Sequence, residues 1–123
     1  MYPPIPPSES SFMLHQFGVS YVCYLTKHKY ANTQALAVQV ISWDEETKMW
    51  GPHAKVSINC DKEVMLSLGL DEFVFKDYSE NEGMLLQFID IGIVEDTGRT
   101  IDLPYAHAPV VRLTSKAAQY FAK

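Results

Sequence analysis

The sequence predicts an α+β domain, an antiparallel sheet of about five strands with one main helix packed on one face. Three observations lead there. Short stretches rich in β-branched and aromatic residues lie on both sides of a single long helical pattern, in the order strands, helix, strands. That pattern, over about Glu80–Ile91, carries Met84, Leu85, Phe88 and Ile91 at helical spacing. A chain of 123 residues, 47% hydrophobic and 20% charged, can build one core without disulfide or metal staples.

Taken in order, residues 1–11 (MYPPIPPSESS) read as a flexible proline-rich arm ahead of a single domain over residues 12–123. Pro3-Pro4-Ile5-Pro6 satisfies the PxxP pattern read by aromatic grooves. An arm that frays, or lies across the domain through Tyr2 and Ile5, is the expectation. Phe17, Val19, Tyr21, Cys23 and Leu25 then alternate with other residues, which is strand chemistry over Phe17 to Thr26. Lys27-His28-Lys29 supplies a polar turn. Ala35 to Trp43 is apolar on both faces and reads as a central strand.

Asp44-Glu45-Glu46-Thr47-Lys48 has the composition of a hairpin loop. A third strand starts near Trp50, is interrupted by Gly51-Pro52, and resumes through Ala54, Val56 and Ile58. Asp61 to Leu70 predicts a short helix, and Phe73-Val74-Phe75 a fourth strand leading into the main helix. For that helix, Ser79 and Glu82 stand at the spacing of a capping box, and Glu80 and Glu82 oppose the helix dipole. Gly92 supplies the left-handed stop. Ile93-Val94 is expected to pair with Thr100 to Leu103 about Thr97-Gly98. Pro104 and Pro109 bracket an irregular loop, Val110 to Leu113 is the last strand, and Ser115 caps a short helix over residues 116–122.

Several of these runs carry a resemblance. Lys76-Asp77-Tyr78-Ser79-Glu80-Asn81-Glu82-Gly83, Gly92-Ile93-Val94-Glu95-Asp96-Thr97-Gly98-Arg99-Thr100 and Ala108-Pro109-Val110-Val111-Arg112-Leu113 are the residues concerned. With them the chain resembles a family of small uncharacterised proteins carried by conjugative elements, plasmids and phages of Gram-positive bacteria, many from the gut. Tyr30-Ala31-Asn32 to Val38-Gln39-Val40 looks like that family's strand after a Tyr-x-Asn-Gly-type turn, with Thr33-Gln34 where the glycine is missing. The resemblance spans Tyr30 to Leu113 and brings no established activity with it. It implies a cytoplasmic accessory protein of a mobile element.

Charge and composition narrow the function classes. Ten basic against fifteen acidic side chains leave a net charge of −5, which opposes binding to duplex nucleic acid. The carboxylates are scattered among lysines, as on a solvated surface and unlike a nucleic-acid mimic. Cys23 and Cys60 stand alone, without metal-ligand spacing, and fit a reducing compartment. Cys23 reads as a small core residue. No secretory leader and no membrane-length apolar segment is recognised, so a cytoplasmic location is expected, with no membrane partner.

No catalytic residue, metal or cofactor is assigned. His28 lies between two lysines in a polar turn, and His53 with Cys60 is a two-ligand hint, short of a metal site. His107, near Tyr105, has no evident nucleophile, since the chain lacks GxSxG, HExxH and a glycine-rich phosphate loop. Binding is the favoured class. Trp43 and Trp50 flank Asp44, Glu45 and Glu46, and Tyr105 lies in a proline-bounded loop; together these six form the expected protein-binding set. The competing reading has both tryptophans closing the end of the core. The expected partner is a host protein or one encoded by the element, with host-defence modulation as the expected role. The alternative is a small-ligand or enzymatic site at the loop Pro104 to Pro109.

Overall fold

The computed structural model describes residues 5–123, so Tyr2, Pro3 and Pro4 of the arm and its PxxP pattern lie outside the described residues. β1 (Phe12–Gln16), β2 (Val19–Lys29), β3 (Leu36–Asp44) and β4 (Met49–Lys55) form a meander in that order across a four-stranded antiparallel sheet. They are followed by α1 (Lys62–Leu66), β5 (Glu72–Val74), α2 (Met84–Ile91), β6 (Val94–Asp102) and β7 (His107–Leu113). The later strands make a three-stranded antiparallel sheet of order β5-β7-β6. The class is α+β, but the expected single sheet of about five strands is replaced, among the described residues, by seven strands in two sheets.

Two local features account for the difference. Phe17 does not open a strand; with Gly18 it forms the two-residue loop of a hairpin in which Gln16 pairs with Val19. Both loop residues have positive φ, 53° and 73°, as a type I′ turn requires. A phenylalanine at the first of those positions hides the turn from composition. Further on, the third strand does not run through to Ile58. It ends at Lys55, and the next residues cross between the sheets: the Val56 amide donates to Val38 O (3.2 Å), the Lys76 amide to Val56 O (2.8 Å) and the Ile58 amide to Val74 O (3.0 Å). Ser57 ties this crossing in place, accepting from the Val38 amide at 2.9 Å.

The expected turn at Thr97-Gly98 is also corrected. β6 is one strand, and both its halves pair with β7 while residues 97–99 bulge between Asp96 and Thr100. Asp96 Oδ1 accepts from the Gly98 amide and Thr97 Oγ1 donates to Val110 O, so the bulge satisfies its own polar groups. Likewise β2 runs on through Lys27-His28-Lys29, and the turn comes later, with Gln34 at φ 63°.

The main helix is shorter than predicted, and its cap is different. Ser79 has φ 57°, and residues Ser79–Asn81 make a single 3₁₀ turn without a side-chain cap. Gly83 at φ 87° separates this turn from α2. No capping box forms, because the chain cannot remain α-helical through a residue at that φ. Asp77 takes the role instead, its Oδ1 accepting from the Leu85 amide at 3.1 Å. Glu80 turns back to Lys76 (2.6 Å), and Asn81, buried, donates to Lys55 O (2.9 Å). The stop is as expected. Gly92 has φ 91°, its amide donates to Ile89 O, and the Ile93 amide donates to Phe88 O at 2.9 Å, the two bonds of a Schellman motif.

The core follows from these placements. Leu14, Cys23, Leu25 and Val40 of the first sheet share one cluster with Phe73, Val94 and Val111 of the second. Met84 and Phe88 of α2 belong to it, the Phe88 ring meeting Phe12 at 5.7 Å and Phe75 at 5.2 Å between centroids. Val74, Ala108 and Val110 point the other way, into a second cluster with Val64 and Leu68. Phe73-Val74-Phe75 is therefore buried on both faces, which is why it has no polar alternation.

The edge of β1 is covered as well. The Gln87 side-chain amide of α2 accepts from His15 N and donates to His15 O, both at 2.8 Å, replacing a neighbouring strand. The C-terminal segment is a 3₁₀ helix, Ser115–Tyr120, where a Ser115-capped helix over residues 116–122 was expected. Phe121 bridges to Leu25 and Ala122 to Ser8, and the Ser10 amide donates to Gln119 O, so residues 8–10 of the arm lie against the chain's end.

Candidate functional site

Cross-strand partners share a face of a sheet, so the pairing registers sort the first sheet into two sides. Cys23, Leu25 and Val40 look into the core. Tyr24, Ile41 and Pro52 stand opposite one another on the outer side, and Trp43 stands directly across from Trp50. These five side chains belong to neither core cluster. The tryptophan rings meet edge to face at 5.3 Å between centroids, and Tyr24 meets Trp50 in the same manner at 5.0 Å. Three half-buried aromatics thus form a continuous strip across β2, β3 and β4. Tyr24 was not among the expected site residues; its place in the strip depends on a cross-strand register that composition does not reveal.

The acidic hairpin does more than carry charge. Trp43 Nε1 donates to Glu45 Oε2 (2.5 Å) and Lys48 Nζ donates to Glu45 Oε1 (2.9 Å). Lys48, and then Trp43, hold the Glu45 carboxyl below its usual range. Asp44 Oδ1 accepts from the Glu46 amide at 2.9 Å, an Asx turn that fixes the bend. Trp43, Asp44, Glu45, Glu46 and Trp50 are therefore brought together on one hairpin, with Glu45 pinning the indole of Trp43 in place.

Tyr105 lies elsewhere. It follows Pro104 in the loop between β6 and β7, on the second sheet, and its hydroxyl is 3.3 Å from that of Tyr78. The rings meet edge to face at 5.5 Å. Burial, and then the bond to Tyr105, push the Tyr78 phenol up to about 12. A cleft of about 340 Å³ opens beside this pair, between Cys60 and Val64 on one wall and Leu103 and Tyr105 on the other. Burial, with Asp61 adding to it, pushes the Cys60 thiol up, away from thiolate chemistry. His107 pairs with Asp102 at 2.6 Å on an exposed edge.

His53 and Cys60 do not converge. His53 bonds to Ser42 and Gln16 on the first sheet, whereas Cys60 lies by α1, its amide donating to Met65 Sδ. Among the described residues no three His, Cys, Asp or Glu side chains gather as a metal site requires, and no helix is long and apolar enough to cross a membrane. The His53 group was missed in the sequence because Gln16, Ser42 and His53 come from three strands and share no motif. Comparison of the chain with protein-family models, curated protein sequences and solved structures gave no match.

Proposed function

We propose that this protein acts by binding another protein through the outer face of its four-stranded sheet, with Tyr24, Trp43 and Trp50 as the buried contact and the hairpin's acidic residues as its rim. The observation that carries this is the aromatic strip, whose half-buried rings pack on one another and belong to neither core cluster. Aromatic rings of this kind supply most of the affinity at protein interfaces, while charged rims steer approach. The partner presents arginine or lysine side chains. A net charge of −5 and the acids Asp44 and Glu46 beside two indole faces favour cations, which also stack on tryptophan.

The resemblance over Tyr30 to Leu113 implies a cytoplasmic accessory protein of a mobile genetic element, contacting a host or element-encoded protein, with modulation of host defence suggested only by the kind of genome that carries such proteins. A second reading, a small-ligand or enzymatic site, rests on the cleft of about 340 Å³ beside Tyr105.

Capture from host lysate with the intact chain, run beside Trp43→Ala and Trp50→Ala, tests the proposal. A protein held by the parent and lost from both folded variants is the expected result. Equal capture by the parent and the variants would overturn the assignment of the strip.

A further inference from the structure

A second group of reactive side chains sits on the opposite side of the first sheet, where its core face gives way to solvent. Ser42 stands across from Cys23 and Gly51 and shares their core-ward side. The β3–β4 register slips between Val40 and Ile41, leaving His53 without a partner between Pro52 and Ala54. Such a bulge turns two successive side chains to one face, and here it aims His53 inward at Ser42. His53 Nδ1 is 3.1 Å from Ser42 Oγ, and Nε2 is 2.6 Å from Gln16 Oε1. The Tyr21 ring lies 4.6 Å from the imidazole.

The proton positions follow from the far end of this chain of bonds. Gln16 Nε2 donates to the Glu80 carbonyl at 2.8 Å, so its oxygen is the atom turned toward His53. His53 Nε2 must then carry the hydrogen and donate to that oxygen. Nδ1 is left as a bare acceptor, and the Ser42 hydroxyl donates to it. Burial disfavours the charged imidazole and lowers its pKa, which keeps Nδ1 free to take a proton.

Ser42 also has access to space. Val19 to Val22 pair only with β1, and Trp43 and Asp44 only with β4, so β2 and β3 part beyond Cys23 and Ser42. A cleft of about 410 Å³ opens there, walled by Tyr21, Ser42, Trp43 and Gly51.

We propose that Ser42 is a nucleophile activated by His53 as general base, that Gln16 is the positioning residue, and that the cleft accepts aryl esters of short carboxylic acids. The aromatic walls suit an aryl leaving group. In the first step Ser42 Oγ bonds to the acyl carbon and its proton passes to His53 Nδ1. The carbon–oxygen bond to the leaving group breaks, and the departing phenolate takes that proton. Water, deprotonated by the same nitrogen, then attacks the acyl carbon, releasing the carboxylic acid and restoring the Ser42 hydroxyl. Throughout, His53 Nε2 keeps its hydrogen and donates it to Gln16 Oε1, which holds the ring in the productive tautomer.

The molecule carries its own control at the rim of the same cleft. Ser20 also lines it, with Oγ 2.7 Å from His15 Nδ1, but this pair is exposed, and among the described residues no side chain orients the other nitrogen of that ring. The test treats the full chain with p-nitrophenyl acetate, following release of p-nitrophenolate, and with an alkyl fluorophosphonate whose adduct is located by peptide mass spectrometry. The expected result is an adduct on Ser42 in preference to Ser20. Ester cleavage should fall about 10²-fold or more in Ser42→Ala and in His53→Gln, the range of general-base assistance.

Ser42→Ala removes only a hydroxyl, and a melting curve on it separates chemistry from unfolding. For Gln16, Gln16→Met should shift the pH midpoint of cleavage as well as lower the rate, a change that loss of packing alone would not produce. Equal labelling of Ser20 and Ser42, no adduct on Ser42, or cleavage at the parent rate by Ser42→Ala would overturn the proposal.

Discussion

Replacing Trp50 by alanine separates a surface strip from a closed core in a single measurement. Trp50 touches two aromatic partners, Trp43 at 5.3 Å and Tyr24 at 5.0 Å, and belongs to neither core cluster. Edge-to-face aromatic pairs contribute about 0.5–1.5 kcal/mol each, so losing both should cost about 1–3 kcal/mol. A fully buried ring such as Phe88 should instead cost about 3–5 kcal/mol when truncated. For a chain of this size 1 kcal/mol moves the melting temperature by roughly 4 °C, so Trp50→Ala should melt about 4–12 °C lower and remain cooperative. Thermal melts of both variants by circular dichroism, with capture measured on the same samples, make the comparison. If Trp50→Ala loses as much stability as Phe88→Ala, the indole belongs to the core, and the interface reasoning fails at its main residue. The hairpin acids should then divide by role. Glu46→Lys should alter association rate and salt dependence with little effect on melting, whereas Glu45→Lys should also loosen the hairpin, since Glu45 holds both Trp43 and Lys48.

Four further outcomes follow from particular residues. The nearest atoms to a Cβ at Gly92 would be those of the flexible Lys116 side chain, from 3.4 Å, so the cost there is conformational: Gly92→Val should lose about 2 kcal/mol or more and Gly92→Asn clearly less, measured by denaturant titration. Asp77→Ala should cost about 1 kcal/mol in the same assay through the lost bond to the Leu85 amide, while Ser79→Gly, at φ 57°, should leave stability unchanged or raise it. The Gly69 amide, and then Arg99, hold the Glu72 carboxyl below its ordinary 4.5; its contribution is therefore present above that value and is lost as pH falls through the depressed one. The stability gap between the parent and Glu72→Gln should accordingly be open at neutral pH and close in acid, and a gap independent of pH would contradict the assignment. Fluorescence anisotropy with duplex DNA at physiological salt should show no binding, since a net charge of −5 offers little to release counterions.

Much of the local structure was legible along the chain because its causes are local. Gly92 ends α2 since only a residue tolerant of positive φ can close a Schellman motif there, and the pattern Met84, Phe88 marks the buried side of a helix wherever that helix lies. The Trp-acid-Trp hairpin was likewise readable from turn composition between two strand patterns. Other features depended on partners distant in sequence. Ser79 and Glu82 have the spacing of a capping box, yet Asp77 caps the helix, because Asn81 is drawn to the Lys55 carbonyl and Gly83 breaks the path. Beyond Lys55 the Val56 amide still bonds to Val38 of β3, but the Val56 carbonyl and the Ile58 amide take backbone partners in residues 74–76, and one expected sheet became two. The arrangement of Gln16, Ser42 and His53 arises from a hairpin turn, a bulge and a helix-side carbonyl. The sequence alone thus determined where turns and periodic faces fall, because those depend on φ preferences and neighbour spacing. Only the tertiary structure decided which strands share a sheet and which side chains meet, because hydrogen-bond partners there are chosen by register and burial between segments dozens of residues apart.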